Sequence, residues 1–158
     1  GLGAIGRRVA KIARAFGAKV IYYSASGAPA QEGYEQVDFE TLLTQSDIIS
    51  VHAPLNEHTE GLINSKAFEK MKSSCIFLNL GRGPIVDEQA LYNALVKNQI
   101  AAAGLDVLCK EPMSADNPLL KIKDSKRMLI TPHIAWASVE ARTHLMEIIH
   151  GQVKDFFA

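Results

Sequence analysis

The chain begins "GLGAIG", which places Gly1, Gly3 and Gly6 at the spacing G-x-G-x-x-G. An amphipathic stretch follows directly, and an apolar one follows that. Glycines in this setting let the backbone approach a pyrophosphate held at a helix N-terminus, so spacing and setting together point to a dinucleotide site. Two residues further along can do chemistry of their own. Arg82 sits between Gly81 and Gly83 just after the apolar run "CIFLNL", and a guanidinium pairs bidentately with a carboxylate. His133 follows Pro132 just after "MLIT", and imidazole donates a proton near neutral pH.

A dinucleotide unit of this kind normally ends its second strand on Asp or Glu, which bonds the adenosine ribose hydroxyls. Here that place, 18 residues past Gly6, is Ser24. A carboxylate there would repel the 2′-phosphate of NADP, whereas a serine neither repels it nor supplies charge to hold it. Ser26 offers one more donor, but no Arg or Lys lies between Ser24 and Gln31. The sequence therefore permits NADP without arguing for it.

Positioning these groups requires alternating strands and helices, and apolar runs do alternate with helix-period stretches. Strands are expected at Lys19–Tyr23, Ile48–His52, Cys75–Leu80, Ala102–Asp106 and Met128–Thr131. Their near-continuous apolar content predicts parallel strands covered on both faces. Helices are expected over Ile5–Phe16, Asp38–Gln45, Asn64–Lys70, Asp87–Lys97 and Ser138–Phe156. The first puts Val9, Ile12, Ala13 and Phe16 on one face with Gly17 as its stop, and the last puts Ala141, Leu145, Ile148 and Ile149 at core spacing. Lys110–Lys126, with two prolines, is the one long irregular connection. The fold class is α/β, a doubly wound parallel sheet of the Rossmann type. In such a sheet Arg82 and His133 both fall at carboxyl ends of strands, where ligands bind.

A chain of 158 residues that is 47% hydrophobic is long enough to bury one sizeable core, so 1–158 reads as a single dinucleotide-binding domain. Seventeen basic residues balance seventeen acidic ones, so no charge excess argues for nucleic acid or an anionic membrane. Any anion must be held by a local site. No 18-residue apolar run predicts a membrane span, and no leader is legible before Gly1. Cys75 and Cys109 lack metal or redox spacing, which reads as reduced thiols in a cytoplasmic protein. No His, Cys, Asp and Glu cluster has metal-ligand spacing, and neither G-x-S-x-G nor a Cys/His pair supports nucleophilic catalysis. His52, His58, His144 and His150 read as ordinary surface or core residues.

From "ISVHAPLNEHTEGLIN" onward the chain resembles the D-isomer-specific 2-hydroxyacid dehydrogenase family. "FLNLGRGPIVDEQAL", "GLDVLCKEP" and "ITPHIAWAS" are similar to its later motifs, in the family's order, and the resemblance runs from Gly1 to about Gly151. "HIAWAS" is similar to the glycerate dehydrogenase and hydroxypyruvate reductase branch. The resemblance implies hydride transfer between NAD(P)H and a small 2-oxo acid, with NAD as the family default. It implies Arg82 on the substrate carboxylate, His133 as proton donor and Glu111, 22 residues before it, as the partner that orients His133. It further implies that Asp106 receives the nicotinamide carboxamide. Ser24, Pro54 and Thr59 would lie on the adenine and phosphate side, while Ala4, Ile5, Leu80, Gly81 and Ala135 would line the cofactor by backbone. Arg82 and His133 face the cofactor as well as the substrate in this scheme, and a homodimer through this domain is implied.

The same resemblance implies a substrate domain and a strand before Gly1 that this sequence does not contain. In the order 3-2-1-4-5-6 that strand is central, so its neighbours would stand roughly 10 Å apart with unpaired backbone groups. These residues are therefore expected to be a piece of a parent of about twice the length and to fold poorly unless another segment fills the gap; a further alternative is a fragment that is structurally intact but catalytically silent, because substrate-domain residues normally close over the site. A reading from another class is an NAD(H)-sensing, partner-binding module similar to the family's corepressors, with nucleotide binding and little turnover.

Overall fold

A computed structural model describes residues 1–157. Its elements are α1 (Ala4–Ala15), β1 (Ile21–Tyr22), β2 (Glu35–Gln36), α2 (Phe39–Gln45), β3 (Ile48–Val51), α3 (Ser65–Lys70), β4 (Ile76–Asn79), α4 (Glu88–Val96), β5 (Ala102–Leu105), β6 (Met128–Ile130) and α5 (Val139–Phe156). Short 3₁₀ turns at Gly83–Ile85 and Pro118–Lys121 complete it. The second of these interrupts the connection expected to be irregular, and Asn117 caps it by accepting from the Leu119 amide at 2.9 Å.

Helix starts follow side-chain chemistry. Asp38, Asn64, Asp87 and Ser138 each accept hydrogen bonds from first-turn amides, satisfying donors that have no intrahelical partner. The start of α1 differs, because its cap is Gly3 and no side chain covers its amides. Gly17, at φ +85°, ends that helix region where the sequence places a stop.

All strand pairings are parallel, in the order β3-β4-β5-β6 for the larger sheet and β1-β2 for the smaller. This is the parallel α/β architecture the sequence predicts. The strand β2 is not among the five expected, since two polar residues give no apolar run to read. The two sheets are not hydrogen-bonded to each other. A cleft of about 460 Å³ separates them, lined among others by Gly1, Ala10, Tyr22, Leu42, Ile49 and Ser50. It lies at the slot that the order 3-2-1-4-5-6 assigns to a strand before the glycine loop.

The core sits on one face of the larger sheet. Ile49, Val51, Phe77, Ala103 and Leu105 pack with Leu43, Phe68, Leu91 and Leu95 from α2, α3 and α4. Phe68 meets Phe77 edge to face, with centroids 5.6 Å apart and planes at 81°. Alternate strand residues are less covered, Ile48 and Ile76 being 61% and 40% exposed. The expectation of strands covered on both faces is corrected accordingly: α2, α3 and α4 share one side, and within the described residues the other is open. The apolar faces of α1 and α5 are corrected with it. Ile12, Phe16, Leu145, Ile148 and Ile149 are all exposed, and α5 buries none of its residues.

Candidate active site

Parallel strands bring their carboxyl ends to one edge, and the loops that leave it carry most of the expected site residues. Ser24 follows β1, Pro54 follows β3, Leu80 to Arg82 follow β4, Asp106 and Glu111 follow β5, and His133 and Ala135 follow β6. Adjacent strands β4, β5 and β6 thus present Arg82, Glu111 and His133 side by side in loop order.

Glu111 and His133 meet directly. Glu111 Oε2 lies 2.7 Å from His133 Nδ1, and Glu111 Oε1 accepts the Leu108 amide at 2.9 Å. The Leu108 amide first, and the His133 ring second, hold the Glu111 carboxyl below the usual glutamate range. An ionised carboxylate can only accept, so Nδ1 carries the proton and donates, leaving Nε2 as the nitrogen turned to other partners. Both side chains stay partly open, at 40% and 37% exposure, so a small molecule can reach the ring.

The backbone that presents His133 is itself constrained. His133 has φ +55°, a left-handed conformation rare for a side-chain-bearing residue and one that persists only where neighbours hold it. The holders are identifiable. Asp106, buried at the end of β5, accepts the Thr131 hydroxyl and the Ile134 amide on Oδ1, and the Ala135 amide on Oδ2. Burial pushes the Asp106 carboxyl up, but the Thr131 hydroxyl, the two amides and His133 together pull it below the usual range. The Trp136 indole adds a bond to the His133 carbonyl at 2.8 Å. Thr131 and Trp136 carry no role in the sequence reading; nothing in their types or spacing marks them, because their work is to fix a loop.

Arg82 is exposed at the tip of the β4 loop, where its Nη1 donates to the Gly81 carbonyl at 2.8 Å. Buried Asn79 shapes that loop, accepting the Gly81 amide on Oδ1 and donating Nδ2 to the Arg82 carbonyl, both at 3.0 Å. Its signal in the sequence is a lone polar residue within an apolar strand. Gly83 is required by packing, since a Cβ there would collide with the Leu108 carbonyl and the Cys109 amide. The Arg82 loop therefore abuts the loop that carries Glu111.

On the nucleotide side, the glycines divide by what surrounds them. A Cβ on Gly6 would strike the Gly1 carbonyl, whereas a Cβ on Gly3 would meet nothing within 4 Å. The second glycine opens onto free space above uncapped helix amides, with no acidic residue in the first turn and Arg7 and Arg8 following it. This start of α1 suits an anion. Ala4 and Ile5 are exposed beside it, and Ser24 is half-buried with its hydroxyl 3.1 Å from that of Ser26. Thr59 is brought elsewhere: it is buried, and its hydroxyl donates to the Pro54 carbonyl at 2.6 Å and accepts the Asn56 amide at 2.9 Å. It shapes the loop after β3 rather than offering a free group.

Neither cysteine is poised for nucleophilic work. Burial pushes the thiols of Cys75 and Cys109 up to about 11, with Glu88 adding to the effect at Cys109. Among the described residues no group of three or more His, Cys, Asp or Glu is placed to hold a metal ion, and no helix is long and apolar enough to cross a membrane.

A glycine loop feeding a helix, with ligand-facing loops gathered beyond the carboxyl ends of parallel strands, defines the Rossmann-type class of α/β domains. Within that class, the model of the D-isomer specific 2-hydroxyacid dehydrogenase NAD binding domain matches residues 1–135, and the chain belongs to this family. It is 46% identical over 158 residues to a hydroxypyruvate reductase of Blautia hydrogenotrophica, covering 99% of this chain and 48% of that protein. It superposes with a TM-score of 0.90 on the D-lactate dehydrogenase of Aquifex aeolicus complexed with NAD and lactic acid, at 31% identity, covering 99% of this chain and 51% of the other. A TM-score of 0.90 is also reached with an NADPH-dependent glyoxylate/hydroxypyruvate reductase of Sinorhizobium meliloti in complex with NADP and malonate, at 30% identity, covering 100% and 48%. The chain spans about half the length of these relatives.

Proposed function

We propose that the protein carrying this chain reduces a small 2-oxo acid, of the hydroxypyruvate or glyoxylate kind, to the D-2-hydroxy acid at the expense of NADH or NADPH. The observation that carries this reading is the 2.7 Å contact between Glu111 and His133 beside the Arg82 loop. Relatives named hydroxypyruvate reductase, glyoxylate reductase and glycerate dehydrogenase support the substrate class.

The nicotinamide, when bound, supplies the hydride. The chain's own residues do the rest. Arg82 pairs its guanidinium with the substrate carboxylate and draws electron density from the adjoining carbonyl. His133 gives its Nε2 proton to the oxygen as negative charge develops there, and Glu111 keeps the ring oriented through Nδ1. Asp106 holds the His133 loop and presents the site edge to the carboxamide end of the cofactor. The uncapped α1 amides, exposed at Gly3, take the pyrophosphate, with Ser24 at the ribose and Pro54, Ala4, Ile5, Leu80, Gly81 and Ala135 lining the path; Thr59 supports that lining from beneath. We place the protein in the cytoplasm, with two unpaired thiols, as a homodimer that engages neither nucleic acid nor membrane.

The test is oxidation of NADH and of NADPH by the full-length protein with a panel of 2-oxo acids. Turnover with a two- or three-carbon oxo acid is expected. Tight nucleotide binding without turnover of any oxo acid would replace the enzyme with a nucleotide-sensing module.

A further inference from the structure

Helix α4 covers the core, yet its first residue faces away from that task. Asp87 already caps the helix by accepting the Ala90 amide at 2.9 Å. Glu88 instead reaches into the loop after β5, where its two oxygens take separate partners. Oε1 accepts the Cys109 amide at 2.8 Å, and Oε2 accepts from the Asn117 side chain at 2.8 Å. Asn117 is buried, and its own oxygen is committed to the Leu119 amide. The two anchor points bracket residues 110–116, the segment that carries Glu111.

Three further contacts make this stem rigid at the Glu111 end. Cys109 Sγ donates to the Val86 carbonyl at 3.5 Å, which ties the stem to the approach to α4. The Leu108–Cys109 peptide packs against Gly83 with no room for a Cβ, which ties it to the Arg82 loop. The amide just before the one that Glu88 holds, Leu108, is the donor to Glu111 Oε1.

We infer that Glu88 is a positioning residue for the proton-donating pair: by bridging Cys109 and Asn117 it fixes both stems of the 108–117 loop, and so sets Glu111 against His133. The inference rests on the dehydrogenase reading for its catalytic consequence, though not for the clamp itself. Either single loss frees one stem. Glu88→Gln turns a second donor on the Asn117 amide, and Asn117→Asp sets two carboxylates against each other. The double variant reverses donor and acceptor across the same contact while leaving an acceptor for the Cys109 amide, so it remakes the clamp.

The experiment uses the full-length protein in four forms: unaltered, Glu88→Gln, Asn117→Asp and the double variant. Hydrogen exchange at the amides of residues 108–119 is expected to be about tenfold or more faster on the freed stem in each single variant, and to slow again in the double, with Leu91 and Leu95 amides unaffected. Each single variant is expected to lower kcat about tenfold while KM for the oxo acid stays within about twofold, because misplacing a catalytic group costs rate rather than uniform binding. The double variant is expected to recover most of kcat. Unchanged exchange in both single variants overturns the clamp. Faster exchange with unchanged kcat overturns the positioning role. If the unaltered protein turns over no oxo acid, the dehydrogenase reading fails, and the exchange pattern still decides the clamp.

Discussion

Glu111 spends its two carboxylate oxygens on two different loops, Oε1 on the Leu108 amide of its own and Oε2 on His133 Nδ1 of the next. One side chain thereby fixes the distance between the strand ends of β5 and β6 and the tautomer of the imidazole. A glutamine in its place keeps an acceptor but cannot stabilise the imidazolium. Glu111→Gln is expected to lower kcat about tenfold or more with little change in nucleotide affinity. Steady-state kinetics beside nucleotide titration check this, and an unchanged kcat would remove Glu111 from the reaction.

The same ionised groups set an acid limit. Glu111 and Asp106 are both held below their ordinary values of 4.5 and 3.8, so the folded state binds protons less readily than the unfolded chain. Their stabilising contribution is complete above those values and is lost as pH falls through the lower, folded ones. Melting temperature is expected to drop progressively as pH falls below about 4.5, and Asp106→Asn to flatten that drop while lowering stability at neutral pH by about 1–3 kcal/mol. Thermal melts of both proteins across that range measure it; parallel curves would contradict the assignment.

The glycines of the opening motif should separate by experiment as they do by geometry. Gly6→Ala forces a Cβ onto the Gly1 carbonyl and is expected to cost stability by about 1–3 kcal/mol. Gly3→Ala meets open space, so the melt should hold while nucleotide affinity falls about tenfold. Equal loss of stability in both variants would mean that Gly3 serves the fold and not the ligand.

Much of this was legible in the residues themselves, and the reasons for success and failure are physical. The placement of Arg82 and His133 at the carboxyl ends of β4 and β6 is legible, because each follows an apolar run that reads as a strand. The short strand β2 is not, since Glu35 and Gln36 earn their place by pairing with β1 and not by burial. The apolar faces of α1 and α5 follow helical spacing, but spacing says only that a face must be covered, not by what. Thr131 and Trp136 carry no such signal, because loop-fixing polar contacts have no period, whereas Asn79 shows as a lone polar residue within an apolar strand. Glu111 is marked by family resemblance alone in the sequence, and in the fold its carboxylate lies 2.7 Å from His133.

We propose that Ser24 bears on the choice of nucleotide. It is half-buried at the end of β1, with the Ser26 hydroxyl as its side-chain partner among the described residues. Ser24→Asp puts a carboxylate where NADP carries its 2′-phosphate, and is expected to shift the ratio of NADPH to NADH efficiency about tenfold or more toward NADH. Measurement of kcat/KM with both nucleotides tests it, and an unmoved ratio would place the ribose elsewhere.

The central claim is that His133 donates the proton, and His133→Ala in the full-length protein tests it most directly. Turnover with the preferred oxo acid is expected to fall by about two orders of magnitude or more, as loss of a general acid does, while nucleotide affinity stays within about threefold. Near-normal turnover in that variant would contradict the account.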